Sequence, residues 1–484
     1  MSAGMLTKLF PKLSAGAQGV LAPKLGITSL AGKKLNISKM ADMDNIVNAD
    51  NYIEENNPSL AVNPANEAIV AAVHQYSSFC IAIASFDGGD TFDYNNYVLL
   101  PLQAGSSGCA NPVVRFSPDG LYAYYFYMDI GGSGLTSDIV MVRANGYDPT
   151  SLLTGPIVVL DDLGSFLDKP WGDVAYFDVT GASNGAVYVT GTYFTSGGIC
   201  GILFNASTNN GNTWTYGTSG TVLASTSNCY RSTSPVLQGS RPIGNPNTGW
   251  VTVCWYNSES DGWLSGAFGI RCWSNDSWGS GGTNYFFTAV NDQKYELPYY
   301  LGPSGAYHRW WNSMFPALAV DNTGLVYIAY TADPNSNPYD VESGNVFLAR
   351  GWPSGSFWKT QPLGTGSFAQ GFPTVTARCS SIPSAKCYAY VAYGDYMSSN
   401  AYYKIVYRQA SRTYSYTLPS ALTLGPKKTI SDVPSFSDAG NYFIGDYIDS
   451  FVTSRRYEVI WTDRSDATGR YDADDDVMHD VLLP

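Results

Sequence analysis

From about residue 55 onward the chain is filled with short runs in which apolar and polar residues alternate, bounded by Asn, Asp, Gly or Pro. A period of two predicts β-strands, because successive side chains on a strand point to opposite faces. One unit recurs: an apolar strand that often starts near Pro, a polar turn, then a second strand rich in Val, Ala and Tyr. It reads PSLAVNPANEAIVAAV from Pro58, PVVRFSPDGLYAYYFY from Pro112, GDVAYFDVTGASNGAVYVTGTY from Gly172 and SPVLQGSRPIGNPNTGWVTVCWY from Ser234. It continues as FPALAVDNTGLVYIAYT from Phe315, FPTVTARCSSIPSAKCYAYVAY from Phe372 and FIGDYIDSFVTSRRYEVIWTD from Phe443, which makes seven copies.

A third strand follows each copy and a fourth follows the first six, as in CIAIASFDGGDTF then YVLLPL. Four antiparallel strands in a repeat of roughly 50 to 80 residues describe a propeller blade. The expectation is therefore an all-β chain: an N-terminal arm over 1–50 and a seven-bladed β-propeller over 51–484, with six blades and one extra sheet as the other count. The last copy stops at VMHDVLLP and lacks a fourth strand. A segment ahead of the first copy, LNIS at Leu35 to Ser38, is expected to supply it and so hide an edge. The other reading of residues 1–50 is a flexible arm.

Composition narrows the partners. Charged residues are only 14% of the chain, against about 25% in an average soluble protein, and the net charge is -13. That balance argues against nucleic acid as a partner. With few carboxylates to protonate, stability is expected to persist in acid. No run of 18 apolar residues is present, so no membrane-spanning helix is expected. Lys8, Pro11 and Lys12 interrupt the N-terminus, so no standard signal peptide is expected; the alternatives are another export route or release within an assembly such as a virion.

Eight cysteines fall at repeated positions. Cys80 lies in the third strand of the first copy and Cys109 just before the second, while Cys200 and Cys229 hold the same two places in the third and fourth copies. Cys254 and Cys272 lie on neighbouring strands, and Cys379 and Cys387 bracket one hairpin. The expected bridges are Cys80–Cys109, Cys200–Cys229, Cys254–Cys272 and Cys379–Cys387, each contributing about 2 to 4 kcal/mol and pointing to an oxidising location or a hyperthermophilic source. Buried thiols are the other reading, and zinc is not expected because paired C-x-x-C spacing is lacking.

Two turns carry a family signature. Ser85, Asp87, Gly89, Thr91 and Phe92 fit S-x-D-x-G-x-T-W with Phe for Trp, and Ser207, Asn209, Gly211, Thr213 and Trp214 fit it with Asn for Asp. Both occupy the turn after the third strand. On these residues the chain resembles the sialidase-like, Asp-box propellers over about residues 55 to 484. The resemblance implies that the boxes are structural and lie on the face opposite an active site. It also implies a catalytic set of three arginines, a Tyr nucleophile paired with Glu, and an Asp acid/base, with the first Arg in Phe/Tyr-Arg-Ile-Pro. That tetrapeptide is missing here: Arg115 sits in VVRFS and Arg241 in SRPIG. Arg143, Arg271, Arg350 and Arg408 fall near the ends of third strands, a repeated structural position. No catalytic residue is therefore assigned.

Binding chemistry is expected elsewhere. The longest segment between copies, YELPYYLGPSGAYHRWW, offers Tyr299, Tyr300, Tyr307, His308, Arg309, Trp310 and Trp311, the residue types of recognition hot spots; cover for the core is the other reading. Asp463, Asp466, Asp472, Asp474 and Asp476 crowd a second segment and suit either a Ca²⁺ site or a solvated acidic loop. Carboxylate pairs there also suit glycoside hydrolysis. Asn36, Asn205 and Asn275 begin N-glycosylation sequons in form. Together these features point to a non-enzymatic, surface-displayed structural or recognition protein of a virion or cell surface. Its arm would dock it by capsid contact or self-assembly, and its aromatic face would bind glycan or protein. A secreted sialidase-type glycoside hydrolase and a lattice or filament subunit are the alternatives.

Overall fold

The computed structural model describes residues 45–48, 55–93, 96–176, 185–229, 235–245, 247–258, 267–295, 299–301, 307–309, 315–332, 344–364, 370–380, 386–397, 402–413, 421–432, 434–436, 447–465 and 471–482. Every regular element among them is a β-strand. The first sheet is Glu55–Val62, Val70–Tyr76, Phe79–Ser85 and Val98–Leu99, antiparallel in chain order. The second is Ser106–Phe116, Tyr122–Gly131 and Ser137–Asn145, with Asp148–Leu152 and Ile157–Leu160 on its outer edge. The third, Phe166–Tyr176, Gly185–Phe194, Cys200–Ser207 and Thr221–Thr226, joins the second through the parallel pair Phe166 and Ser137.

The fourth sheet is Leu237–Gly244, Val251–Asn257, Ala267–Asn275 and Asn284–Tyr295, and the fifth is Ala317–Val320, Val326–Ala332, Asn345–Gly351 and Lys359–Pro362. The sixth is Gln370–Cys379, Lys386–Met397 and Tyr402–Thr413, edged by the short strands Thr423–Leu424, Lys428–Thr429 and Ser435–Phe436. A closing sheet joins Asp449–Val452, Tyr457–Ser465 and Tyr471–Leu482 to the N-terminal strand Asn45–Asn48. Asn45 lies opposite His479 and Ile46 opposite Met478. The outer strand of this sheet is thus Asn45–Asn48, whereas Leu35 to Ser38 lie outside the described residues.

The first strands of consecutive sheets touch one another in a closed circuit, from Glu55–Val62 through the other sheets to Asp449–Val452, which contacts Glu55–Val62 again. These inner strands repeat one distortion. Pairing skips a residue between Asn56 and Ser59, Ala110 and Val113, Asp168 and Trp171, Gln238 and Arg241, and Gly371 and Thr374. Proline is the cause in four of the five, because Pro58, Pro112, Pro170 and Pro373 have no N–H for the ladder. The preceding residue turns to positive φ: 55° at Asn57, 53° at Asn111, 55° at Lys169 and 51° at Phe372. In the fourth sheet Gly239 takes that conformation at 64°, and a Cβ there would meet Phe315 Cδ1 at 2.3 Å.

The two boxes share a backbone and reverse one hydrogen bond. In each, the Ser hydroxyl accepts from the box Gly N–H, at 2.8 Å for Gly89 and 3.0 Å for Gly211. Thr91 Oγ1 donates to Asp87 Oδ2 at 2.6 Å, whereas Asn209 Nδ2 donates to Thr213 Oγ1 at 2.9 Å. Burial opposes ionisation of Asp87, but hydrogen bonds from Thr91 and Ser85 outweigh it and hold the carboxyl below its ordinary value. The fourth sheet contains a third such turn, hidden in the sequence because Asn275 replaces Ser: its Oδ1 accepts from Ser277 N and Gly279 N, both at 2.9 Å.

The disulfides formed among the described residues are Cys80–Cys109, Cys254–Cys272 and Cys379–Cys387. They fit an extracellular or secreted protein, and no helix among the described residues is long and apolar enough to cross a membrane. The expected Cys200–Cys229 bridge is not one of the three. Cys200 Sγ lies 3.4 Å from Thr226 Oγ1 and Cys229 Sγ 3.4 Å from the Gly198 carbonyl.

Candidate functional site

The displaced backbone of the inner strands brings polar side chains of several sheets together where those strands meet. Asn57 Nδ2 donates to Asn111 Oδ1 at 2.9 Å, Asn111 Nδ2 to Asp168 Oδ1 at 3.3 Å, and Gln238 Nε2 to Asp168 Oδ2 at 2.7 Å. This girdle links the first four sheets. Beside it, Asp449 of the closing sheet accepts from Ser59 Oγ at 2.7 Å and pairs with Arg115 Nη1 at 3.0 Å.

Trp171 is the centre of the cluster. The Arg241 guanidinium stacks over its ring at 3.6 Å from the centroid and that of Arg115 lies at 5.2 Å. Tyr447 meets Trp171 edge-on at 5.1 Å. Lys169 Nζ sits 5.0 Å from the Phe315 ring and 5.2 Å from that of Tyr447. Cations over aromatic faces are stabilised by the ring quadrupole, more so when water is excluded. Here Lys169, Trp171, Arg241, Phe315 and Tyr447 are all buried.

Burial costs the Arg241 charge and pulls its pKa down to about 10, against the pull of Asp449 and Tyr447. The guanidinium makes no hydrogen bond among the described residues. Asp449 pairs with Arg115 and Asp168 accepts from Asn111 and Gln238, and a narrow cleft beside them is lined by Lys169, Trp171, Ser240, Arg241, Phe315 and Tyr447. Behind it, burial pushes the Asp173 carboxyl up to about 6, opposed by the Gly244 N–H and by Arg115. The arrangement suits one anionic group held by Arg241 and Lys169 against an aromatic wall.

The residues singled out in the sequence are placed differently. Tyr299–Leu301 and Tyr307–Arg309 form a two-stranded ribbon with Tyr299 opposite Arg309 and Tyr300 opposite His308; Trp310 and Trp311 lie outside the described residues. Asp463 is buried on Tyr457–Ser465 opposite Asp476 of Tyr471–Leu482, the strand that also carries Asp472 and Asp474. Asp466 lies outside the described residues. Carboxylates do converge at Asp138, Asp161 and Asp162, but each already accepts an N–H: from Gln103 and Asp162, from Leu163, and from Gly164 respectively.

The sequons need correction. Asn205 is fully buried and donates to the Val159 carbonyl at 2.9 Å, and Asn275 is buried and donates to Gly281 O at 2.7 Å. Neither amide has room for a glycan on the folded chain, and Asn36 lies outside the described residues. Arg143 bonds the Asn210 carbonyl at 3.1 Å, and Arg408 bonds the Gly425 carbonyl at 3.2 Å. Arg115, Lys169, Trp171, Arg241, Tyr447 and Asp449 carried no assignment in the sequence. Their signal is the X-Pro step: aligning Lys169-Pro170 with Asn57-Pro58 and Asn111-Pro112 puts Trp171 in one layer with Ser59.

No protein-family model matches the chain, nor does any curated protein. Among solved structures it is similar to a Hadza microbial sialidase, with 9% identity, TM-score 0.42 and coverage of 87% of this chain and 75% of that one. It is similar to a polysaccharide lyase, an ulvan lyase, with 10% identity, TM-score 0.46 and coverage of 91% and 94%. A sialidase from Streptococcus pneumoniae gives 10% identity, TM-score 0.41 and coverage of 95% and 72%. These likenesses are at low identity and carry no sequence-level family.

Proposed function

We propose that this chain is a seven-bladed recognition propeller that binds an anionic glycan through the cleft between Trp171 and Tyr447, and that it does not turn its ligand over. The carrying observation is Arg241: a buried guanidinium stacked on Trp171, without a hydrogen bond among the described residues, beside Lys169. A buried cation leaves its donors unused at a cost of about 1 to 3 kcal/mol or more, so a ligand carboxylate or sulfate that accepts them offsets it. The closed circuit of inner strands supports the blade count. Binding without turnover is supported by Asp449, whose Oδ2 is taken up by Ser59 and Arg115. The ribbon Tyr299–Leu301 and Tyr307–Arg309 supplies a second surface for the glycan.

The test is a titration with carboxylated, sulfated and neutral oligosaccharides, together with a turnover assay on chromogenic glycosides. Binding of the charged ligands only, weakened about tenfold or more by Arg241→Ala, and no turnover are expected. Equal binding of neutral ligands overturns the anionic site. Turnover that Tyr447→Phe abolishes favours the glycoside hydrolase instead.

A further inference from the structure

The three disulfides differ in their reach to solvent. Cys80–Cys109 and Cys254–Cys272 are buried at both ends, and so is Cys387, whereas its partner Cys379 is part-exposed. Cys379 ends the strand Gln370–Cys379, and the next residue, Ser380, is exposed. Cys387 lies directly opposite it on Lys386–Met397, and Arg412 of Tyr402–Thr413 lies directly opposite Cys387. Thiol–disulfide exchange requires an attacking thiolate to reach a sulfur, so access favours this bridge over the other two.

The inner sulfur sits beside a buried cation. Arg412 Nη2 donates to Asp321 Oδ2 and to Thr323 Oγ1, both at 2.7 Å, and Arg412 Nε donates to the Tyr327 hydroxyl at 3.1 Å. Arg412 Nη1 has no hydrogen-bond partner among the described residues. The Cys379 and Cys387 sulfurs and an oxygen of the same Asp321 carboxylate lie within 4.8 Å of one another. Burial opposes the Arg412 charge, but Tyr327 and Asp321 outweigh it and keep the guanidinium protonated. Asp321 disfavours a thiolate, yet its oxygens already accept from Thr323, Tyr327 and Arg412, and a second guanidinium, Arg350, is close enough to Arg412 to repel it. A thiolate beside a guanidinium with an unused N–H is stabilised, and a stabilised thiolate leaves faster.

We propose that Cys379–Cys387 is a thiol-exchange site, opened by a low-molecular-weight thiol that attacks Cys379 and displaces Cys387 as a thiolate held by Arg412. The small thiolate bonds to Cys379 Sγ, the bond between the two protein sulfurs breaks, and its electron pair stays on Cys387. A second small thiolate attacks the small-molecule sulfur of this mixed disulfide and releases the Cys379 thiolate. One protein disulfide is reduced to two thiols and two small thiols are oxidised to one disulfide, their protons passing to the protein thiols. Opening unties the end of a hairpin that reaches the fifth sheet, where Cys379 N donates to Asn322 Oδ1 at 3.1 Å. The inference is independent of the glycan site.

The experiment exposes the folded full chain to a graded series of reduced glutathione, with samples quenched by alkylation at intervals, denatured and peptide-mapped. The expected result is that Cys379–Cys387 opens about tenfold faster than Cys80–Cys109 and Cys254–Cys272, and that early samples carry glutathione on Cys379. Arg412→Gln slows this opening severalfold while circular dichroism is retained. If that variant unfolds, the double variant Asp321→Asn with Arg412→Gln, which leaves no unpaired carboxylate there, replaces it. Opening of all three bridges at one rate overturns the proposal, as does glutathione found first on Cys387 or opening unchanged in the folded variant.

Discussion

The rim and the axis of this molecule use the same repeat in opposite ways. At the rim the two boxes after the third strands recur with the same backbone and one reversed hydrogen bond, and their serines are satisfied within a few residues: Ser85 by Asp87 and Gly89, Ser207 by Asn209 and Gly211. At the axis the first residue beyond each bulge is Ser59, Val113, Trp171, Arg241 or Thr374, and Asp449 and Asp168 take side-chain partners from other sheets, Arg115 and Gln238. Repetition builds the frame, and divergence at one repeated position builds the site.

The sharpest way to break this contrast is at the axis. Asp449→Ala leaves Arg115 without its carboxylate, and removing one partner of a buried pair costs about 3 to 5 kcal/mol. The part-exposed Arg115 places the loss at the lower end, to be read by denaturant unfolding. Arg115→Met in that background recovers stability. At the rim, Ser207→Ala removes the acceptor of the Gly211 and Asn209 N–H groups and lowers stability by about 1 kcal/mol; a loss as large as that at Asp449 contradicts the local satisfaction of the boxes.

Protonation sharpens the comparison further. The Asp87 pKa is depressed on folding, so its contribution is present above the unfolded carboxylate value and lost as pH falls through the folded one. Asp87→Asn, which copies the Asn209 box, removes that part of the acid limb. Asp173 is the reverse case: its folded pKa is raised to about 6 from 3.8, so its contribution is full below the unfolded value and lost as pH rises through about 6. Melting temperatures of Asp173→Asn fall less than those of the parent between about pH 4 and 7. The two variants therefore change opposite ends of the pH profile, each by a small amount.

The frame was legible in the sequence because sheet architecture follows local signals that repeat. The apolar start of Val70–Tyr76 and the twin boxes are of this kind, and so is the cysteine spacing that recurs at Cys80 and Cys109. The site was not legible, because Arg115, Trp171, Arg241 and Asp449 lie far apart in the chain and meet only through ring closure. Their neighbours also mislead. Lys169 and Phe372 adopt positive φ, rare for such side chains, and only the following Pro hints at the bulge. Asn205 and Asn275 show the converse, a surface motif in form whose amides are spent inside the fold.

The central claim is that Arg241 presents its donors to an anionic ligand, and the most direct measurement is calorimetric titration of one carboxylated and one sulfated oligosaccharide into the parent chain, Arg241→Ala and Arg143→Ala. Binding in the parent and in Arg143→Ala, with loss in a folded Arg241→Ala, is the predicted result. Equal affinity in all three proteins, or loss only in Arg143→Ala, contradicts it.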